Sequence, residues 1–188
     1  ETPKVVERIA QLGLTDFSYA DVPVIFCDTY GAAGHPVRTT VTEVGPLLFS
    51  RILDLNEVQS GVLSAVFAIA DDADLLLLDL KDLRAVLAHV TEHAAEFRAK
   101  YGNLATTSIG AIQRGLLALE QEGGDALFGE PALRLDDLMR TAPDGRGYVS
   151  VLSATRLMQA PRLYSTLLLY ILSELYENLP EVGDPERP

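Results

Sequence analysis

The sequence predicts a mostly helical α/β fold, in which a helical stretch interrupts a strand-bearing one. Three observations predict it. Val22–Thr29 (VPVIFCDT) and Tyr148–Ser153 (YVSVLS) are apolar runs rich in β-branched residues, as strands are. Between them, apolar residues recur at steps of three and four, the helical period. The chain has 188 residues, 48% apolar and 22% charged, so folding can bury about 70% of its extended surface and build one core.

Pro3–Leu12 reads as a short helix with Val5, Val6, Ile9 and Leu12 on one stripe, ended by Gly13. In the strand Val22–Thr29, Pro23 marks its start or an edge. Gly31–Pro36 (GAAGHP) is a loop, and the alternation of Val37, Thr39 and Val41 suggests a second short strand. Pro46–Leu53 is a short helix. Asn56 caps the next one with Gln59 as reciprocal partner, and Val58, Val62, Ala65 and Ile69 form its inner stripe until Asp71–Asp74 breaks it.

Leu80, Leu83, Leu87, Val90, Ala94 and Phe97 form a three-heptad seam on a single helix spanning Asp79–Lys100, with Gly102 as its stop. Thr107–Glu122 is a further helix with Ile109, Ile112, Leu116 and Leu119 inside, ended by Gly123-Gly124. Asp136–Arg140 is a helical turn or two, Pro143–Gly147 a turn, and Tyr148–Ser153 a buried strand. Pro161 opens a last helix that Pro180 closes. Its Leu163, Leu167, Leu168, Ile171, Leu172, Leu175 and Leu179 occupy more than one face, which predicts burial.

The net charge of −12 concentrates in residues 41–145, which carry 17 acids and 8 bases. No basic stripe for nucleic acid is visible on this segment. A single cysteine, Cys27, excludes an internal disulfide and fits a cytoplasmic protein. No apolar run approaches the ~18 residues of a membrane span.

Several residues bear chemistry, each with a plainer structural reading beside it. His89 and His93 share a helix face at zinc-helix spacing, but Val90 stands where the metalloprotease pattern has Glu; a solvent-side pair is the simpler reading. Leu75–Asp79 (LLLLD) has the form of a Walker B strand, yet Leu80 follows and no G-x-x-x-x-G-K-[ST] loop exists; Asp79 or Asp82 as a helix cap is simpler. Asp71, Asp72 and Asp74 lack calcium-loop spacing and read as an interhelical turn. Gly31–Gly34 could form an anion nest, with His35 and Arg38 near phosphate, or be a plain loop. Cys27 reads as a buried thiol, and Ser108 and Ser165 lack a nucleophile elbow. Arg114, Arg140 and Arg146 are each candidates to reach a neighbouring subunit's phosphate, and nothing in the sequence selects one. No catalytic, cofactor-binding or metal residue is assigned.

Five stretches together carry a resemblance: His35–Leu48 (HPVRTTVTEVGPLL), Leu75–Val90 (LLLLDLKDLRAVLAHV), Tyr101–Leu133 (YGNLATTSIGAIQRGLLALEQEGGDALFGEPAL), Asp137–Ala154 (DLMRTAPDGRGYVSVLSA) and Pro161–Pro188. They resemble the bacterial HerA-like ATPase and helicase family of the YjgR type. The resemblance implies a RecA-like P-loop core, a ring-forming homo-oligomer, ATP and Mg²⁺ as cofactors of the parent protein, and DNA as its partner. It also implies that this chain lies between the Walker A and Walker B elements and holds neither. The expected organisation is residues 1–44 as part of the ATPase core, 45–145 as an all-α insertion bundle, and 146–188 as the return to the core. A non-catalytic helical interaction module, suggested by the heptad seam, is the alternative. The opening at Glu1 and the polar ending EVGDPERP are read as marks of an excised segment.

Overall fold

The computed structural model describes residues 2–179 together with Glu181 and Gly183. The expected closing role of Pro180 and most of the polar ending lie outside the described residues. Helix α1 (Pro3–Leu12) leads into strand β1 (Val24–Asp28), and strand β2 (His35–Pro36) follows a tight loop. Then come α2 (Val41–Ile52), α3 (Glu57–Asp72), α4 (Leu80–Glu92), α5 (Ala94–Tyr101), α6 (Thr106–Gln121), α7 (Gly124–Leu127) and α8 (Leu135–Leu138). Strand β3 (Val149–Ser153), a 3-10 turn at Leu157–Gln159 and helix α9 (Pro161–Asn178) complete the order.

The three strands form one parallel sheet in the order β2-β1-β3. β1 pairs with β3 along its whole length, Val24 opposite Val149 and Asp28 opposite Ser153. β2 pairs only with Cys27 and Asp28. The class is thus mixed α/β and mostly helical, as the sequence predicts.

The second strand expected over Val37–Val41 is not formed. Thr40 instead caps α2: its side chain accepts from the Glu43 amide at 3.2 Å, and Glu43 accepts from the Thr40 amide at 3.2 Å. That reciprocal cap draws Val41 into a helix despite the alternating pattern. α2 bends at Gly45 (φ 70°, ψ 168°), and Pro46 starts its second half. The expected helix from Pro46 is therefore the latter part of a longer element.

The Asn56–Gln59 box caps α3 as expected, at 3.0 and 3.1 Å. The inner stripe is rotated from the expected one: Val62, Leu63, Val66, Ile69 and Ala70 are buried and Val58 is exposed. The helix expected over Asp79–Lys100 is two helices. His93 (φ −111°, ψ 24°) ends α4, and the seam is buried through Val90 but only half-buried at Ala94 and Phe97. A heptad pattern fixes which side faces inward, not where the backbone stays helical.

Ile109, Ile112, Leu116 and Leu119 of α6 are buried as expected, against α3 and α4. The side chains of α2, α3, α4, α6 and α9 merge into one apolar cluster that also takes in Cys27 and Val37. Each fully buried aliphatic there contributes roughly 1.5–3 kcal/mol. Two expectations of burial fail. Val149 and Val151 of β3 are exposed, because among the described residues nothing covers the outer face of the sheet. α9 buries only Leu163, Thr166, Leu167 and Tyr170; Leu168, Leu169, Leu172 and Tyr176 face outward. Among the described residues no helix is long and apolar enough to cross a membrane.

Candidate functional site at the carboxyl edge of the sheet

In open parallel sheets, ligands bind beyond the carboxyl ends of the strands, where loops leave in different directions. Here that edge is built by the residues just after β1 and β3. Asp28, the last residue of β1, is buried. Its carboxylate accepts from the backbone amides of Tyr30 (3.1 Å), Ala32 (2.9 Å) and Ala33 (3.0 Å). Burial opposes its charged form, but the three amides and the nearby Arg156 outweigh burial and hold the carboxyl below its usual range.

The loop from Tyr30 to Gly34 is shaped by this carboxylate. Gly31 takes φ 66°, and a Cβ on Gly34 would sit 2.3 Å from the Phe26 carbonyl oxygen, so only glycine fits there. The amides of Gly31, Ala32 and Ala33, which could have cradled an external anion, are occupied by Asp28 itself.

Above this loop, the guanidinium of Arg156 stacks over the Tyr30 ring, 3.9 Å from its centroid. Arg156 is exposed, and among the described residues no carboxylate lies within ion-pair distance of it. The Thr29 hydroxyl, between Asp28 and Tyr30 in the chain, is buried and has no hydrogen-bond partner among the described residues. An exposed guanidinium held over an aromatic ring and free of a carboxylate partner suits an anionic group such as a phosphate.

The residues singled out by sequence sit elsewhere. Asp79 caps α4, accepting from Lys81 (2.7 Å) and Asp82 (3.0 Å) amides, while Asp82 accepts from Leu78 and Asp79. Leu75–Leu78 is extended but belongs to no sheet; Leu77 is tied to Thr42. Asp72 binds Lys100 and Tyr101, joining α3 to α5. Asp74 lies in the turn after α3 with φ 53°. His89 and His93 stack with centroids 4.3 Å apart at the α4–α5 junction. Among the described residues no three His, Cys, Asp or Glu side chains are grouped to hold a metal.

Cys27 is buried on the covered side of the sheet, and burial pushes its thiol up. His35 and Arg140 line a 290 Å³ cavity beneath it. Arg38 donates to the Glu130 carbonyl at 2.9 Å. Arg146 is engaged by Asp144 at 2.7 Å and by the Asp21 carbonyl. Arg114 is exposed on α6, Ser108 is buried, and Ser165 lines a cleft between α2 and α9. Arg156 was not among the arginines the sequence offered. The signal was there in DTYG and SATR, each following a strand, but only the pairing of β1 with β3 makes them neighbours.

No curated protein and no solved structure matches the chain. A family model described as helicase HerA-like C-terminal matches residues 1–188. With its parallel sheet, its helical body and this match along its whole length, the chain belongs to the helicase HerA-like C-terminal family.

Proposed function

We propose that this chain is part of a HerA-like P-loop ATPase that moves along or unwinds DNA, and that it supplies core strands and a helical insertion. The observation that carries the reading is the sheet. β1 and β3 come from the two ends of the sequence and lie side by side in parallel, with α2–α8 inserted between them. Among the described residues, the far edge of β3 has no strand. A three-stranded parallel sheet with one open edge is suited to continue into a larger one. The division into residues 1–44, 45–145 and 146–188 follows from the same reading, although the apolar cluster is continuous across it.

In this reading the described residues hold no ATP–Mg²⁺ site of their own. The sequence has no G-x-x-x-x-G-K-[ST] loop. Asp28, at the end of β1, uses both carboxylate oxygens on backbone amides, and Asp79 uses its Oδ1 to cap α4. In this reading the nucleotide is held by other parts of a ring-shaped, cytoplasmic homo-oligomer. Arg156 is the group of this chain that reaches its phosphates. The alternative of a free helical interaction module loses its motive, because Leu80, Leu83, Leu87 and Val90 are already buried, with α4 packed against α3 and α6.

The test is steady-state ATPase activity of the protein encoded by the whole reading frame that contains this chain, as wild type and as Arg156→Ala. Loss of an arginine that stabilises phosphoryl transfer costs roughly 10³-fold or more in kcat. We expect such a loss with ATP affinity little changed. Absence of ATPase activity in the wild type overturns the motor reading; equal activity in the variant overturns the role of Arg156.

A further inference from the structure

Among the described residues, nothing covers the outer face of the sheet. The register places Val24 beside Val149 and Phe26 beside Val151, all four on the side away from Cys27. They are 40%, 47%, 58% and 41% exposed, in that order. Parallel sheets are ordinarily covered on both faces, because their strands are apolar on both. This one is covered on one.

The same chain holds an apolar stripe without a surface. α1 is well formed, opened by Pro3 and closed by Gly13 in the left-handed conformation, yet none of its side chains is buried. Val5, Val6, Ile9 and Leu12 follow one another at helical spacing, while Glu7, Arg8 and Gln11 bond among themselves on the other side. A ten-residue helix is ~15 Å long and a five-residue strand ~17 Å, so the stripe and the face match in length. Residues 13–23 link them, long enough to span up to ~36 Å. A tether of that size gives millimolar effective concentration, far above that of a second chain in dilute solution.

We propose that the exposed β1–β3 face is the docking surface for the apolar stripe of α1 of the same chain. α1 closes over Val24, Phe26, Val149 and Val151, and the linker residues Leu14 and Phe17 cover the margin. The inference stands apart from the ATPase reading, which rests on the edge of the sheet and not on its face.

The experiment attaches a nitroxide to Gln11→Cys, on the solvent side of α1, in a Cys27→Ser background. Methyl signals of Val24, Val149 and Val151 are then followed by NMR. Docking in the same chain broadens these signals to less than half their diamagnetic intensity, and adding Ile9→Asp restores them. Broadening unchanged by Ile9→Asp, or none, overturns the proposal. A mixture of spin-labelled and isotope-labelled chains gives no broadening if α1 closes on its own chain. Broadening in the mixture overturns it in favour of a second copy.

Discussion

The helical body and the sheet of this protein solve the same packing problem to different degrees. In the body, α3, α4 and α6 bury their stripes against one another, and Leu63, Leu83, Leu87, Ile112 and Leu116 are wholly inaccessible. α3 and α4 each open on a reciprocal side-chain cap, Asn56–Gln59 and Asp79–Asp82, while α6 is held by packing alone. The sheet has one covered face, one bare face and an open strand edge. The difference teaches where function lies. A surface that folding leaves unfinished is where a partner, another part of a longer chain or a mobile helix can act.

The largest effect expected from this contrast is on stability. Ile112→Ala or Leu116→Ala in the body should cost about 3–4 kcal/mol in urea unfolding, through lost burial and the cavity left behind. Val151→Ala on the outer face should cost less than about 1 kcal/mol, since little burial is lost. Equal costs would break the comparison.

Next comes the link between body and edge. Asp28→Ala removes the acceptor of three amides and should destabilise by about 2–3 kcal/mol, with Asp28→Asn in between. The pH dependence has a definite sign. The folded-state carboxyl titrates below its usual range, so its contribution is complete above that range and disappears as the pH falls through it. The difference between wild type and Asp28→Ala should therefore shrink below about pH 4. A smaller loss, about 1 kcal/mol, is expected for Asp79→Ala, which removes the cap of α4.

The smallest effect has the opposite sign. Burial first, and then the charges of Glu43 and Glu177, push the Glu174 carboxyl up. Ionised at neutral pH, it opposes folding. That opposition fades as the pH falls through its raised pKa. Glu174→Gln should raise Tm by roughly 1–3 °C at pH 7.5 and leave it unchanged near pH 4 in thermal scans.

Much of this contrast was legible in the sequence. The stripe Ile109–Ile112–Leu116–Leu119 and the Asn56–Gln59 box are local patterns, and local patterns decide whether and how a helix packs. The break at His93 was not legible, because the heptad period continues through it. The Val37–Val41 alternation misled because a cap at Thr40, four residues of sequence, outweighs a weak strand pattern. The apolar runs of β3 and the leucines on more than one face of α9 predict burial all round. Such a pattern tells that a surface wants covering, not whether this chain covers it. The edge site was the least legible part. Tyr30 and Arg156 are far apart in sequence, and only the parallel pairing of β1 with β3 brings their loops together.

In the proposed reading this chain carries one side of an ATP-driven machine, and the nucleotide is held elsewhere. Titrating Mg-ATP into the 188-residue chain in a calorimeter tests it most directly. The account predicts no saturable heat up to millimolar nucleotide, with the chain folded throughout. Saturable binding at millimolar concentration or tighter, lost in Arg156→Ala, would contradict it and place a complete nucleotide site within these residues.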